Sequence, residues 1–256
     1  MQGRERGTMD KDLTEIIIIM DRSGSMESVA DDAIGGFNTF LKEQQESKEG
    51  RCFMTYCQFD TNYEIVHEAL PIADMKPLDR ETFVPRGGTA LLDAVGKTID
   101  DVGRRLKKTP KDKRPGNVVV VILTDGEENS SRGYTLDKVK EMIKRQSKDY
   151  DWTFIFLGQG IDAFAAGHGM GLDMSDPNVF VGNMGAGSRG QQAAYFMASA
   201  AVVGTRHRKM HGMSKGYTTG EKEVFTSALS GEASEADLDA VKGSTSSDST
   251  GDSSGA

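Results

Sequence analysis

Two runs of this chain are apolar without a break: IIIIM at 16–20 and VVVVIL at 118–123. Neither alternates polar with apolar side chains, so neither suits a strand with one wet face. A continuous, β-branched run is the pattern of a strand buried on both faces, in a parallel sheet with helices above and below it. At five and six residues, both runs fall far short of the roughly 20 that a membrane span requires. A chain built around such strands must supply covering helices from the segments between them.

Those segments have the right periodicity. Val29, Ala33, Phe37, Phe40 and Leu41 recur at three- and four-residue spacing, which places them on one helix face. Leu91, Leu92, Val95, Ile99, Val102 and Leu106 do the same over 90–108, an amphipathic helix with a basic end. Strands are expected at 51–60, 152–158 and 179–181, and an antiparallel one at 63–66 joined to the first by Asp60-Thr61-Asn62. Further helices are expected at 135–147, 161–169 and 191–209. The alternation predicts a doubly wound, Rossmann-like α/β sandwich of three layers. Its mostly parallel central sheet has about six strands, one of them an antiparallel edge strand. The 256 residues then divide into a short N-terminal tail (1–12), one domain (13–211) and a C-terminal tail (212–256). The last segment is rich in Ser, Gly and acidic residues, with too little apolar surface to offset its ordering entropy, so it is expected to be disordered.

The formal net charge is −8, from 31 basic and 39 acidic residues. From Glu221 onward eight acidic residues stand against two lysines, so that segment supplies −6 and the rest of the chain only −2. The domain is therefore nearly neutral, which excludes a protein that coats nucleic acid with a wholly basic surface but leaves room for local basic patches. Cys52 and Cys57 lie five apart on one expected strand, on opposite faces and roughly 16 Å apart along it. They cannot bridge each other and fit neither a zinc knuckle nor a redox pair, so two small buried thiols are expected. The first residues mix both charge signs with no apolar block, unlike a secretory signal or transit peptide. A cytoplasmic protein with no membrane association is the expectation.

Both apolar runs lead into an aspartate, Asp21 and Asp125. In an open α/β sheet ligands bind beyond the carboxyl ends of the strands, so both carboxylates should face one crevice. Ser23 and Ser25 follow the first, with Gly24 between them, and Thr89 follows Gly87-Gly88 just before a helix. Carboxylates and hydroxyls are all oxygen donors. Such a set suits a hard cation, Mg²⁺ or Mn²⁺, rather than zinc.

The segment Asp21-Arg22-Ser23-Gly24-Ser25-Met26, then Gly88-Thr89, then Thr124-Asp125-Gly126, resembles the metal-ion-dependent adhesion site of von Willebrand factor type A domains. The D-x-S-x-S motif, the lone threonine and the second aspartate all occur in the family's order. The resemblance covers roughly 13–209. It implies a sheet order of 3-2-1-4-5-6. It also implies that Ser23, Ser25 and Thr89 ligate the metal directly, while Asp21 and Asp125 act through water or by exchanging in and out of the coordination shell. The function it implies is binding, not catalysis: a partner protein presents an Asp or Glu that completes the metal's coordination. The chain is similar to stand-alone intracellular members from bacteria and their viruses, some of which work beside AAA+ ATPases or in stress-response complexes.

Other signals have plainer readings. Gly158-Gln159-Gly160 with Ala163 has the outline of a dinucleotide fingerprint but follows the fifth strand rather than the first, and no acid ends the next strand, so a strand-to-helix turn is expected. Gly96-Lys97-Thr98 lies inside an expected helix and is no P-loop, and Ser188 lacks the setting of a nucleophile elbow. His207 and His211 could share a helix face as zinc ligands, but no third ligand is evident. A cationic helix end with Arg206, Arg208 and Lys209 is the plainer account. Seven basic residues against one acidic between Arg104 and Arg114 read as a solvated helix end and loop at the far end of the sheet from Asp21. Their sharper alternative is a Ro-like contact with nucleic acid, which would weaken steeply with salt. A third reading, a metal-dependent hydrolase using Asp21 or Asp125 as base, lacks candidate nucleophiles and acids around it. The six methionines between Met170 and Met213 are expected to pack the core.

Overall fold

The two apolar runs lie side by side at the middle of one sheet. In the computed structural model, which describes residues 8–159, 162–185, 187–213, 216–230 and 236, they belong to strands β1 (Asp10–Asp21) and β4 (Pro115–Thr124). The other strands are β2 (Arg51–Phe59), β3 (Tyr63–Pro71), β5 (Thr153–Gln159) and β6 (Val179–Met184). Their order is β3-β2-β1-β4-β5-β6, and every neighbouring pair is parallel except the β2–β3 hairpin at one edge. The expected architecture and strand order are those observed.

Because strand side chains alternate between faces, each continuous run serves two cores. Ile16, Ile18, Met20, Val119, Val121 and Leu123 pack under helices α1 (Ala30–Glu46), α5 (Gly187–Met210) and α6 (Thr219–Ser230). Ile17, Ile19, Val118, Val120 and Ile122 pack under α2 (Leu91–Lys108), α3 (Leu136–Tyr150) and α4 (Ala163–Gly169). The helix faces read from the sequence are the buried ones: Ala33, Phe37, Phe40 and Leu41 in α1, and Leu91, Val95, Ile99, Val102 and Leu106 in α2. Met170, Met184 and Met197 are buried in these cores, as expected of packing residues. Cys52 and Cys57 are both buried free thiols, and burial pushes each up to about 11.

Two boundaries differ from expectation. β1 begins at Asp10 rather than near 13, because its first residue is already held to the far end of the sheet by the Asp10 N–H to Arg114 carbonyl bond (2.9 Å). More consequentially, the segment expected to be a disordered tail from 212 contains α6. Phe225 is fully buried there, edge-on to Phe180 of β6 and to Tyr217, with ring centroids 5.4 Å apart in each case. Ala228 and Leu229 complete the buried face. Burying a Phe side chain contributes about 2 kcal/mol, and with Val224, Ala228 and Leu229 packed on the same core it seats this short stretch on the domain despite its polar flanks. Residues 214–215, 231–235 and 237–256 of that expected tail lie outside the described residues, as does most of the expected N-terminal tail.

The basic segment sits at the amino ends of the strands, opposite the two aspartates. Arg105 of α2 reaches the buried carboxylate of Glu15 on β1, which also accepts the Thr55 hydroxyl at 2.6 Å. Arg104 pairs with Asp101 (3.0 Å), and Arg114 donates to the carbonyls of Thr109 (2.8 Å) and Lys107 (3.0 Å). No helix among the described residues is long and apolar enough to cross a membrane.

Candidate metal centre

β1 and β4 end level with each other. Met20 pairs with Leu123, so the residues that follow, Asp21 and Thr124-Asp125, emerge together at the carboxyl edge of the sheet. The direction in which successive strands are added reverses between these two strands, the place where ligand crevices form in open α/β sheets. Asp21 is fully buried. One carboxylate oxygen accepts the Ser23 backbone N–H and the other the Thr124 hydroxyl, each at 2.6 Å. The hydroxyls of Ser23 and Ser25 lie 3.0 Å apart, and Ser25 Oγ donates to Asp125 at 2.8 Å.

Thr89 arrives from a different direction, at the end of the loop before α2. Its N–H donates to Asn129 Oδ1 (2.9 Å), and its carbonyl accepts the N–H groups of Asn129 (3.0 Å) and Ser130 (3.2 Å). A Cβ placed on Gly126 would stand 2.8 Å from Thr89 Oγ1 and 3.7 Å from Ser25 Oγ. Both hydroxyls therefore border one small space over Gly126, which any larger residue there would occupy. The structure thus brings together all five residues singled out from the sequence: Asp21, Ser23, Ser25, Thr89 and Asp125.

The electrostatics of the cluster are lopsided. Burial pushes Asp21 up to about 6, against the lowering effect of its hydrogen bonds from Thr124 and Ser23 and with a further push from the Asp125 charge. Asp125 is also raised by burial, with Ser25 opposing it. Among the described residues, neither carboxylate forms an ion pair with a protein cation. Arg22, the nearest base in sequence, turns away: it binds Asp60 (2.9 Å), Gln58 (2.7 Å) and Glu64 (3.0 Å). A buried acid and a half-buried one, without a counter-ion among the described residues and beside three hydroxyls, form a donor set fitted to a small hard cation.

Several residues that hold this edge together were not singled out from the sequence. Asp60, directly after β2, is buried and accepts Arg22, Arg86 (2.9 Å) and the Asn62 N–H (2.7 Å). Burial would raise it, but those donors hold it below the ordinary carboxylate range. Glu128 accepts the N–H groups of Leu92 (2.9 Å), Ser130 (2.9 Å) and Ser131 (2.7 Å). Asp93 accepts those of Arg132 (3.2 Å), Gly133 (2.8 Å) and Tyr134 (2.8 Å), which outweigh its burial and keep it low. The loop after β4 is thereby locked onto the start of α2, fixing Thr89 against Asp125. The available signal was the polar run Glu128-Asn129-Ser130-Ser131 and a third strand leading into an aspartate.

The weaker motifs resolve as follows. Residues 160, 161 and 186 lie outside the described ones, so the dinucleotide-like turn and the segment around Ser188 are only partly visible. The start of α4 is satisfied by protein groups: Asp162 accepts the Ala165 N–H (3.0 Å) and Asn183 the Ala163 N–H (2.9 Å). Gly96-Lys97-Thr98 lies within α2. His207 and His211 do share a face, with ring centroids 4.3 Å apart. The third ligand-type side chain not evident in the sequence is Glu49, from the connection between α1 and β2.

No protein-family model matches the chain, and no curated protein matches its sequence. Solved structures are similar in fold. The D319A mutant of the PilB minor pilin from Streptococcus sanguinis matches at 12% identity with a TM-score of 0.56, over 83% of this chain and 65% of the pilin. A von Willebrand factor type A protein from Catenulispora acidiphila matches at 16% identity and a TM-score of 0.48, over 77% of this chain and 42% of that one. The manganese-loaded TRAP protein of Plasmodium vivax matches at 17% identity and 0.48, over 72% of each chain. This chain thus spans less than half the length of the Catenulispora protein. With six strands in the order β3-β2-β1-β4-β5-β6, an antiparallel edge strand and helices on both faces, the chain has a von Willebrand factor type A-like fold.

Proposed function

We propose that this chain is a protein-binding module that works through Mg²⁺, or Mn²⁺ in its place, held by Asp21, Ser23, Ser25, Thr89 and Asp125. The observation that carries the reading is the meeting of these five oxygen donors at one sheet edge, with one carboxylate buried, the other half-buried, and no protein cation paired to either among the described residues. Ser23, Ser25 and Thr89 would hold the ion directly, and Asp21 and Asp125 through water or by exchange. Bound there, the ion supplies an electrophilic position for a carboxylate from another molecule.

The protein's own residues prepare that position. Thr124 and the Ser23 N–H fix the Asp21 carboxylate in one orientation. Glu128 and Asp93 fix the loop that carries Asp125 and braces Thr89. Asp60 and Gln58 keep the Arg22 guanidinium out of the cluster, so it does not neutralise the carboxylates. The partner is then a protein that presents Asp or Glu. The family resemblance points to an AAA+ ATPase or a stress-response complex in the cytoplasm as its setting. We assign the site binding and no reaction.

Calorimetric titration of Mg²⁺ into the wild-type chain and into an Asp21→Ala, Ser23→Ala variant tests the reading. A saturable heat in the wild type that disappears in the variant is expected, and equal heats would overturn it. Capture of partners from the native cell, retained with Mg²⁺ and lost with chelator or with Asp21→Ala as bait, tests the bridging step.

A further inference from the structure

We propose that Glu49, His207 and His211 form a second cation site, suited to a transition metal of the zinc class, at the opposite end of the molecule from Asp21. His207 and His211 lie one turn apart at the end of α5, where the His211 N–H still bonds the His207 carbonyl (3.0 Å). Glu49 Oε1 lies 3.0 Å from His207 Nδ1, and one ligand atom from each of the three residues lies within 4.8 Å of the others. Glu49 comes from a residue run more than 150 positions earlier in the chain, just before β2 begins.

Three further observations separate this cluster from a plain His–Glu hydrogen bond. First, Glu49 Oε2 is buried and makes no hydrogen bond among the described residues. A buried carboxylate oxygen without a donor is costly, and a metal ion is one way to satisfy it. Second, Glu49 is held in place through its backbone. The fully buried guanidinium of Arg206 donates to the Glu49 carbonyl (3.2 Å) and to Gln44 (3.0 Å). Gly50 takes a left-handed φ of +67° to make the turn. Third, the cations beside the histidines are engaged elsewhere: Arg208 pairs with Glu221 (2.5 Å) and lies over the Tyr217 ring, and Lys209 pairs with Asp151. The site therefore stands at a helix C-terminus, whose carbonyl dipoles favour a cation, with no ammonium or guanidinium paired to the Glu49 carboxylate among the described residues, Arg206 reaching only its backbone carbonyl.

Two imidazoles and one carboxylate select zinc, cobalt, nickel or copper over Mg²⁺, which prefers oxygen donors. A tetrahedral ion with bonds of about 2.0 Å brings ligand atoms to about 3.3 Å from one another. The exposed His211 ring is free to close that distance by a change of rotamer. Three protein ligands leave a fourth position open. Occupied, the site would clamp the α1–β2 connection to the end of α5.

The test is titration of Zn²⁺ into the full chain with Mg²⁺ held in large excess, for the wild type and for His211→Ala, Glu49→Gln and Ser25→Ala. Thermal melts of each variant without metal serve to check folding. His211 is exposed, so its loss should leave the melt unchanged. The expected result is one equivalent of Zn²⁺ bound by the wild type, at least tenfold weaker binding in His211→Ala and Glu49→Gln, and unchanged binding in Ser25→Ala. Cobalt substituted in the wild type should give a visible absorption band of a nitrogen-ligated tetrahedral ion, absent in His211→Ala. No uptake by the wild type, uptake unaffected by His211→Ala, or uptake lost only in Ser25→Ala would each overturn the proposal. The proposed Mg²⁺ function stands or falls separately, since it predicts nothing for His211.

Discussion

Strand β1 carries two buried acids, Glu15 at its middle and Asp21 at its carboxyl end, and the two are treated in opposite ways. Glu15 meets Arg105 and the Thr55 hydroxyl, so its charge is answered within the protein. Asp21, at the carboxyl end, receives hydrogen bonds from Thr124 and Ser23 but no cation among the described residues, and burial lifts it to about 6. Both sit on the same strand, six residues apart and so on the same face of the sheet, and both are buried, so burial alone does not separate them. What separates them is whether the chain supplies a counter-charge. Glu15 is paired from within, whereas Asp21 has no protein counter-charge among the described residues, which is what the proposed cation site requires.

Three experiments press on that contrast. The largest effect is expected from Arg105→Met, which leaves Glu15 buried and unpaired and should cost about 3 kcal/mol of stability, read from urea unfolding at pH 7. A loss under about 1 kcal/mol would mean that Thr55 and solvent suffice for Glu15, and the contrast would collapse. Next is the pH dependence of the chelated protein. Asp21 holds its proton more tightly folded than unfolded, so its ionisation penalty is absent below the ordinary carboxylate value of 3.8 and is complete above about 6. Between those values the folded state binds more protons, and rising pH should remove about 3 kcal/mol through this group. Asp21→Asn should flatten that part of the stability profile, and a profile identical to wild type would deny Asp21 the role. The smallest effect is expected from Glu68→Ala. Glu68 faces the same Arg105 at 3.3 Å but is half exposed, so its removal should change stability by no more than about 0.5 kcal/mol.

The parts of this arrangement that were legible in the sequence are the local ones. A run such as 16–20 declares its double burial through five adjacent residues, and the aspartate after it inherits its place at the sheet edge from the strand itself. The hydroxyls of Ser23 and Ser25 follow within four residues. The missed features depend on distance or on dilution. Nothing in the neighbourhood of Glu49 connects it to His207, because that contact exists only once α1 and α5 have packed together. The same holds for Arg105 and Glu15, 90 positions apart. Helix α6 was hidden differently: Val224, Phe225, Ala228 and Leu229 have helical spacing, but composition averaged over the acidic, serine-rich stretch around them conceals a helix of 12 residues.

The pairing of Met20 with Leu123 also fixes when the proposed site can exist. Asp21 and the two serines leave the ribosome first. Asp125 follows roughly 5 to 20 s later at ordinary rates of synthesis, and until β4 has docked beside β1 the first half of the cluster has nothing to face. Neither half is a binding surface alone. A nascent or truncated chain that stops before β4 lacks Asp125 and the loop that braces Thr89, so the proposed site arrives together with closure of the central sheet.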